Sequence, residues 1–406
     1  MIATIQPGRA AGTVAAPASK SMAHRLLICA GLCSGKSQIR GVEMNEDVLA
    51  TMDCLRALGV NCRAEGNVVT VEGTDLQKAK PADTLRCRES GSTLRFFIPL
   101  ALLGDMPVAL TGTKKLLSRP LQVYADLCAR QKLTFSQAED SVQVQGRLQS
   151  GTFQVPGHIS SQFITGLLLA LPLLPGDSRI CIAPPVESRG YIELTLQAMA
   201  MFGVKATWED ESTLVIPGNQ TYQAADLAVE GDYSGAAFYG ALNALGGRIT
   251  VTGLLPESLQ ADKVYKAHFE SLCQGKPTIH IADCPDLGPV LFAVAAAKHG
   301  GIFTGTRRLK MKESDRAQAM AEELAAFGIQ VIVMEDEVHV HPGTLHRPDR
   351  ICDGHNDHRI VMSLAVLMTL TGGQIRGAQA VRKSFPDFFD RIRELGIEVS
   401  LQEVDQ

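Results

Sequence analysis

Six times along the chain an apolar stretch of helical pattern runs into glycine and then into a short strand-like segment. These segments are GKSQIRG at 35, GDMPVALTG at 104, GDSRICI at 176, GGRITVTG at 246, GGIFTG at 300 and GGQIRG at 372. Most neighbours lie about 70 residues apart, a period that marks a repeat architecture before any one element is assigned. The apolar runs ahead of them cover residues 22–32, 94–103, 163–174, 236–245, 290–298 and 360–370. Glycine after such a run is a natural helix C-cap.

Each strand is followed by a polar loop and a second, amphipathic helix. Most of these helices leave through glycine and a β-branched residue: ALGV at 57, MFGV at 201, AFGI at 326 and ELGI at 394. Alternating strands come next, NVVTVEG at 67, SVQVQG at 141, STLVIPG at 212 and EVHVHPG at 337, each reading as the second arm of a hairpin. The unit is thus helix, strand, helix, hairpin. In the fourth copy KPTIHIADCP reads as a shortened hairpin, and the sixth stops at Glu403.

At 406 residues the chain exceeds one ordinary hydrophobic core. Three units per half predict an α/β protein of two similar domains. The break falls in the polar, turn-rich residues 217–232, with a second weak point at 15–20. The first strand, MIATIQP, precedes the first full unit and is expected to pair with the C-terminal half. The chain then crosses twice, giving one domain over 16–228 and another from 1–15 with 229–406.

A formal charge of -4 argues against nucleic acid as the main partner. No apolar stretch approaches the ~18 residues of a membrane span or forms a signal-peptide core, which predicts a cytoplasmic protein with no membrane partner. The ten cysteines form no CxxC pair and most stand in apolar helical contexts, so neither disulfide nor zinc is expected. Cys29 and Cys33 share a helix face but lack further ligands nearby.

Polar residues collect in two recurring loops. Ahead of the first helices stand SKSMAHR, ESGSTLR, HISSQF, GDYSG, DCPDLG and HNDHR; after the strands stand KKLLSRP, ESRGY, RRLKMKESDR and RKSFPD. The N-terminal helix starts carry Ser19, Ser21, Ser90, Gly91, Ser92, Thr93, Ser160 and Ser161, whose hydroxyls and free N–H groups suit an anion. Plain N-capping is the simpler reading of any one serine. Here the caps coincide with Lys20, Arg25, Arg95, Arg119 and Arg189 in successive repeats. The C-terminal half adds carboxylates to cations: Asp286, Lys312, Glu313, Arg316, Asp357, His358, Arg359 and Lys383. If pseudo-symmetric domains face each other, both sets line one interdomain cleft, holding two charged anions with carboxylates left for proton transfer. Residues 307–316 stand out, with five basic side chains and two carboxylates in ten residues. A solvated helix start is their alternative reading, and it is kept for Arg307, Arg308 and Lys310.

In order and approximate spacing, SKSMAHR, SGSTLR, SRP, SSQF, EGDYS, PD, KESDR, NDHR and KSFPDFF resemble the 5-enolpyruvylshikimate-3-phosphate synthases over essentially the whole chain. The resemblance implies two domains, each of three βαβαββ units, with the active site in the interdomain cleft. It implies transfer of the enolpyruvyl group of phosphoenolpyruvate to the 5-hydroxyl of shikimate 3-phosphate, releasing phosphate, in the shikimate pathway of aromatic amino acid biosynthesis. No metal or organic cofactor is implied, and a monomer is expected.

Carried over residue by residue, the resemblance assigns shikimate 3-phosphate to Lys20, Ser21, Arg25, Ser160, Ser161, Gln162, Ser188, Asp286 and Lys312. It assigns phosphoenolpyruvate to Lys20, Gly91, Arg119, Gln162, Arg316, Arg359 and Lys383. Asp286, Glu313, Lys312 and Lys20 form the catalytic set, with Glu313 protonating the methylene carbon and Asp286 accepting the hydroxyl proton beside Lys312. Glu89, Phe96 and Gly190 depart from the family pattern, where Asn, Pro or Leu, and Pro are common; they bear on affinity and on sensitivity to glyphosate-like mimics. The alternatives are an enolpyruvyl transferase for UDP-N-acetylglucosamine, a non-catalytic anion-binding repeat protein and an RNA-cyclase-like enzyme. The first typically carries a reactive cysteine in the loop that is here TGTKKLLSRP, which has none.

Overall fold

The computed structural model describes residues 1–81 and 84–403. The chain divides into two compact units, Ala18–Glu230 and Met1–Pro17 with Gly231–Gln406.

In the unit Ala18–Glu230 three four-stranded sheets share one plan. Their orders are Leu227–Ala228, Lys36–Arg40, Val68–Glu72, Asn61–Glu65; then Leu85–Arg86, Val108–Thr111, Ser141–Gln145, Thr134–Gln137; then Thr152–Pro156, Ser178–Ala183, Thr213–Ile216, Thr207–Trp208. The first pair of each sheet is parallel and the other two are antiparallel. Helices Lys20–Gly31, Gly91–Ala101 and Ser161–Ala170 are buried over almost their whole length, because leucine, isoleucine, phenylalanine and alanine cover every side of them.

The C-terminal unit repeats the plan with helices Tyr233–Ala244, Gly288–Ala297 and His358–Thr371 at its centre. One complete sheet runs Thr278–His280, Gly301–Thr304, Glu337–Val340, Val331–Val333. A second runs Cys352–Asp353, Gly373–Arg376, Ile2–Ile5, Val399–Gln402, and a two-stranded one pairs Ala11–Ala15 with Arg248–Thr252.

The glycine exits have one physical cause. Gly59, Gly203, Gly328 and Gly396 have φ of 91°, 77°, 85° and 92°, the left-handed region where a Cβ is costly. The next residue donates its N–H back across the last turn, Val60 to Leu55, Val204 to Met199, Ile329 to Leu324 and Ile397 to Ile392, at 3.0–3.1 Å. Glycine also ends the central helices at Gly246 and Gly372, whereas Gly35, Gly104 and Gly176 lie beyond the helix end and open the strand.

Two strand expectations are corrected. KPTIHIADCP is no hairpin arm: Thr278–His280 runs parallel to Gly301–Thr304 and leads the fifth sheet, leaving the fourth unit without a hairpin. A leading strand also precedes every central helix in the repeat, and the alternation pattern missed it because some copies, such as Leu85–Arg86, are two residues long. The expected partnership of the N-terminal strand is present. Ile2–Ile5 lies antiparallel to Gly373–Arg376 and Val399–Gln402 and supplies the hairpin arm that the sixth unit lacks.

Ile5 is fully buried opposite Val399 and Gly373. Ile5→Ala is therefore expected to cost about 2–5 kcal/mol in denaturant unfolding. Hydrogen exchange should rise first in Gly373–Arg376 and Val399–Gln402, with Lys36–Arg40 unaffected.

Candidate active site

Three helix starts of the C-terminal unit converge on one guanidinium. Asp286 lies in the 3₁₀ turn Pro285–Leu287 ahead of Gly288–Ala297; Arg316 opens Arg316–Ala325; Asp357 caps His358–Thr371 by accepting the Arg359 N–H at 2.9 Å. The Arg316 side chain is 1% exposed. Its Nε donates to Asp357 Oδ2 at 2.8 Å, Nη1 to Asp286 Oδ1 at 2.7 Å and Nη2 to Glu313 Oε2 at 2.6 Å. Ser314 Oγ donates to Asp357 at 3.0 Å, Lys312 Nζ stands 3.1 Å from Asp286, and Arg359 Nη2 donates to Asp286 Oδ2 at 3.3 Å.

Burial opposes the Arg316 charge, but Asp357, Glu313 and Asp286 outweigh it and raise its pKa. Burial likewise opposes ionisation of Asp357, and Arg316 outweighs that, holding the carboxyl below its usual range. Lys312 moves the other way: burial lowers its pKa, helped by Arg316 and Arg308 and opposed by Asp286. A lysine shifted down is better suited to exchanging a proton near neutral pH. Lys383, from the turn Ala378–Lys383, donates to the Asn356 carbonyl at 2.6 Å beside the Asp357 cap.

In the N-terminal unit, Ser19, Ser90 and Ser160 cap their helices by accepting from Met22, Thr93 and Gln162 N–H groups. Lys20 pairs with Asp47 at 2.8 Å. Gln162 bridges two starts, accepting from Arg95 Nη1 at 2.7 Å and donating to Ser92 Oγ at 3.0 Å. A Cβ on Gly91 would sit 2.6 Å from Arg119 Nη1 and 3.2 Å from Arg95 Nη1, so the bare glycine is what lets Arg119 approach that helix start. Ser161 and Ser188 are buried, Ser188 at φ 56° just ahead of helix Arg189–Met201. Glu187 N–H to the Gly157 carbonyl, 3.3 Å, ties the Ser188 loop to the one leading into Ser160.

Several predicted cations are engaged by the protein itself. Arg25, 3% exposed, donates Nε to Thr195 Oγ1, Nη1 to the Ser21 carbonyl, and Nη2 to Thr165 and the Tyr191 carbonyl. Burial lowers its pKa to about 10. Phe96 packs beneath it, ring centroid 5.5 Å from the guanidinium carbon, so this departure from the family pattern is part of the core. Arg189 lies over Trp208 at 4.1 Å and pairs with Glu193; Gly190 follows it in the same helix turn. Glu89 is half-buried just before the Ser90 cap. Arg308 corrects the solvated reading: it is 5% exposed and donates to the Ala282 carbonyl at 3.4 Å.

Sequence reasoning missed Asp47, whose place in a helix first turn reads as dipole matching, and Asp262. Asp262 accepts from Ser234 and is pushed up to about 7, chiefly by burial and then by Asp286, with Arg359 opposing. QADKV carries no signal of it.

The model of EPSP synthase (3-phosphoshikimate 1-carboxyvinyltransferase) matches residues 5–392. The chain belongs to the EPSP synthase family. It is 39% identical to the 3-phosphoshikimate 1-carboxyvinyltransferase of Clostridium kluyveri, over 98% of this chain and 97% of that one. The Clostridium perfringens enzyme of the same name is 38% identical over 96% and 97%. In fold it matches the EPSP synthase of Acinetobacter baumannii, TM-score 0.79 at 23% identity over 98% and 100%. It also matches the enolpyruvyl transferase NikO of Streptomyces tendae, TM-score 0.75 at 15% identity over 98% of each chain. The UDP-N-acetylglucosamine alternative is not favoured. Among the described residues no helix is long and apolar enough to cross a membrane.

Removing the guanidinium leaves Asp286, Glu313 and Asp357 facing one another. Arg316→Met is therefore expected to lose about 3–5 kcal/mol of stability at neutral pH. In the parent, the lowered Asp357 pKa gives a contribution present above the ordinary carboxylate value, about 4, and lost as pH falls through its native value. In the variant the repelling carboxylates favour protonation, so the deficit between the two should shrink in acid. Urea midpoints measured against pH check both statements.

Proposed function

We propose that the chain transfers the enolpyruvyl group of phosphoenolpyruvate to the 5-hydroxyl of shikimate 3-phosphate by addition and elimination. The observation that carries this reading is the set Asp286, Lys312 and Glu313 gathered on Arg316, with the Lys312 pKa lowered. In the addition the 5-hydroxyl oxygen bonds to C2, its proton passes to Asp286 with Lys312 beside it, and Glu313, protonated once the anion has displaced it from Arg316, gives its proton to C3. In the elimination the C2–O bond to phosphate breaks with its electron pair going to the phosphate oxygen, a C3 proton returns to Glu313 and the double bond re-forms. The proton held by Asp286 leaves with the phosphate, which restores both carboxyl groups.

Cations are needed where phosphate becomes a leaving group, and carboxylates where C2 gains positive character. Arg316, Arg359, Lys383, Lys20, Arg119, Gly91 and Gln162 are assigned to phosphoenolpyruvate. The Arg316 bonds to Glu313 and Asp286 are the ones its anion competes for, which frees Glu313 to reach C3. Ser21, Arg25, Ser160, Ser161, Gln162, Ser188, Lys20, Asp286 and Lys312 are assigned to shikimate 3-phosphate. With Arg25 bonded to Thr165, Thr195 and two carbonyls, its share is to hold the Ser21 turn. The N-terminal unit, about residues 16–228, is assigned to shikimate 3-phosphate, and the rest to the carboxylates and phosphoenolpyruvate. A cytoplasmic location fits the cysteines, all free thiols and mostly buried, and the chain is proposed to act as a monomer.

Phosphate release is expected only when both substrates are present; release with UDP-N-acetylglucosamine as acceptor, or none with either acceptor, defeats the proposal. Glu313→Gln should lower kcat by about 10²–10⁴-fold, the range of a proton-transfer group, and move KM little. An unchanged kcat removes Glu313 from the reaction.

A further inference from the structure

Between strand Cys352–Asp353 and helix His358–Thr371, two successive residues with side chains take left-handed backbone, His355 at φ 48° and Asn356 at φ 50°. Such a pair is held only where its surroundings over-determine it. The holding group is Glu323, 2% exposed on helix Arg316–Ala325, which accepts from His355 Nε2 at 3.0 Å, Arg350 Nη1 at 2.9 Å and the Asp353 N–H at 3.1 Å. His355 N–H also donates to Asp353 Oδ1 at 2.8 Å, and Arg376 fixes Asp353 from the far side at 2.7 Å.

The end of this turn carries two groups of the candidate site. The Asn356 carbonyl receives Lys383 Nζ at 2.6 Å, and Asp357 receives Arg316 Nε at 2.8 Å. Helix Arg316–Ala325 therefore grips the loop twice, at its start through Arg316 and Asp357 and further along through Glu323 and His355. We infer that His355 is a positioning residue for enolpyruvyl transfer: its imidazolium, seated on Glu323, fixes the turn that aims Asp357 at Arg316 and the Asn356 carbonyl at Lys383. The inference rests on the proposed reaction for its catalytic consequence and on geometry alone for its structural one.

The groups facing the imidazole are Glu322 and Glu323 from the helix and Asp353 from the strand, with Arg350 and Arg376 sharing those carboxylates. The neighbouring Cys352 thiol, raised to about 12 chiefly by burial, does not compete as an acid. The hydrogen bond to Glu323 raises the His355 pKa against its burial, with Asp353 assisting. The ion pair is thus complete below the ordinary imidazole value, about 6.5, and is lost as pH rises through the raised one.

The test compares the full-length chain with His355→Gln and His355→Ala from about pH 6 to about pH 9, across the imidazole range. Two readouts are taken: KM for phosphoenolpyruvate, and the NMR signal of the Arg316 Nε–H in protein labelled at arginine. In the parent, KM should rise about threefold with pH, as for a partly exposed ion pair, while kcat changes less. His355→Gln, a neutral donor, should stay near the parent's high-pH value throughout, apart from the share that Asp262, pushed up to about 7, contributes in both proteins alike. His355→Ala, with no group to titrate, should hold a KM flat with pH and about tenfold above the parent's low-pH value, the loss of a charge-assisted hydrogen bond. The Arg316 signal should titrate in the parent and not in the glutamine variant. A flat parent KM, a glutamine variant that tracks the parent, or an Arg316 signal indifferent to pH overturns the inference. If His355→Ala does not fold, the parent and glutamine titrations still decide it. If the parent releases no phosphate with both substrates, the proposed reaction fails while the Arg316 signal still reads the role of His355.

Discussion

Taking a guanidinium out of water costs several kcal/mol unless its partners replace the hydration in both charge and direction. Arg316 meets that condition with one carboxylate on each of its three nitrogens. The directions are not adjustable, because each carboxylate sits where a central helix begins or next to the helix that Arg316 opens. Asp357 is both a helix cap and an ion-pair partner, so the backbone of His358–Thr371 and the charge of Arg316 are set by the same oxygens. This makes the cluster stiff on the Asp357 side, where moving the guanidinium would also uncap a helix.

The N-terminal unit builds the equivalent helix starts from neutral groups. Ser19, Ser90 and Ser160 stand where Asp232 and Asp357 stand in the other unit, each accepting N–H groups of its first turn. A serine cap leaves a helix start electropositive, whereas an aspartate cap neutralises it. The same backbone plan therefore yields anion-favouring starts in one unit and carboxylate-bearing starts in the other. Arg25 and Arg95 reinforce the first kind without being open anion forks, since their donors brace Thr165, Thr195 and Gln162.

The repeat was legible because its punctuation is a backbone requirement: a left-handed exit such as Gly328 must be glycine-like wherever it recurs, so it survives in the sequence as a period. The leading strands were not legible as such: two residues such as Leu85–Arg86 carry too little alternation to register, and Thr278–His280 registers as a strand but carries nothing that says it leads the next unit rather than closing a hairpin. At the site, residue types were legible and pairings were not. Arg189, Arg308 and Arg316 look alike along the chain, yet one stacks on Trp208, one reaches the Ala282 carbonyl and one gathers three carboxylates. Apart from Glu313, three residues from Arg316, the partners that decide those fates lie 19 to 41 residues away, as with Trp208 for Arg189 and Asp357 for Arg316.

The short leading strands also explain where the chemistry collects. In four of the six repeats the strand pairs parallel with its neighbour and then turns directly into the helix start, as in Thr152–Pro156 before Ser161–Ala170 and Cys352–Asp353 before His358–Thr371. Parallel strands end on the same side, so the loop after the leading strand and the loop after its neighbour must emerge together. That is why the Ser160 start meets the Ser188 loop, and why Asn356 meets Lys383, although 27 to 28 residues separate each pair in the chain. A charged or hydroxyl residue placed in either loop of any repeat is delivered to the same edge of its sheet. Repetition of a parallel ladder two to five residues long is thus sufficient to concentrate cations, caps and carboxylates in the loops at its end.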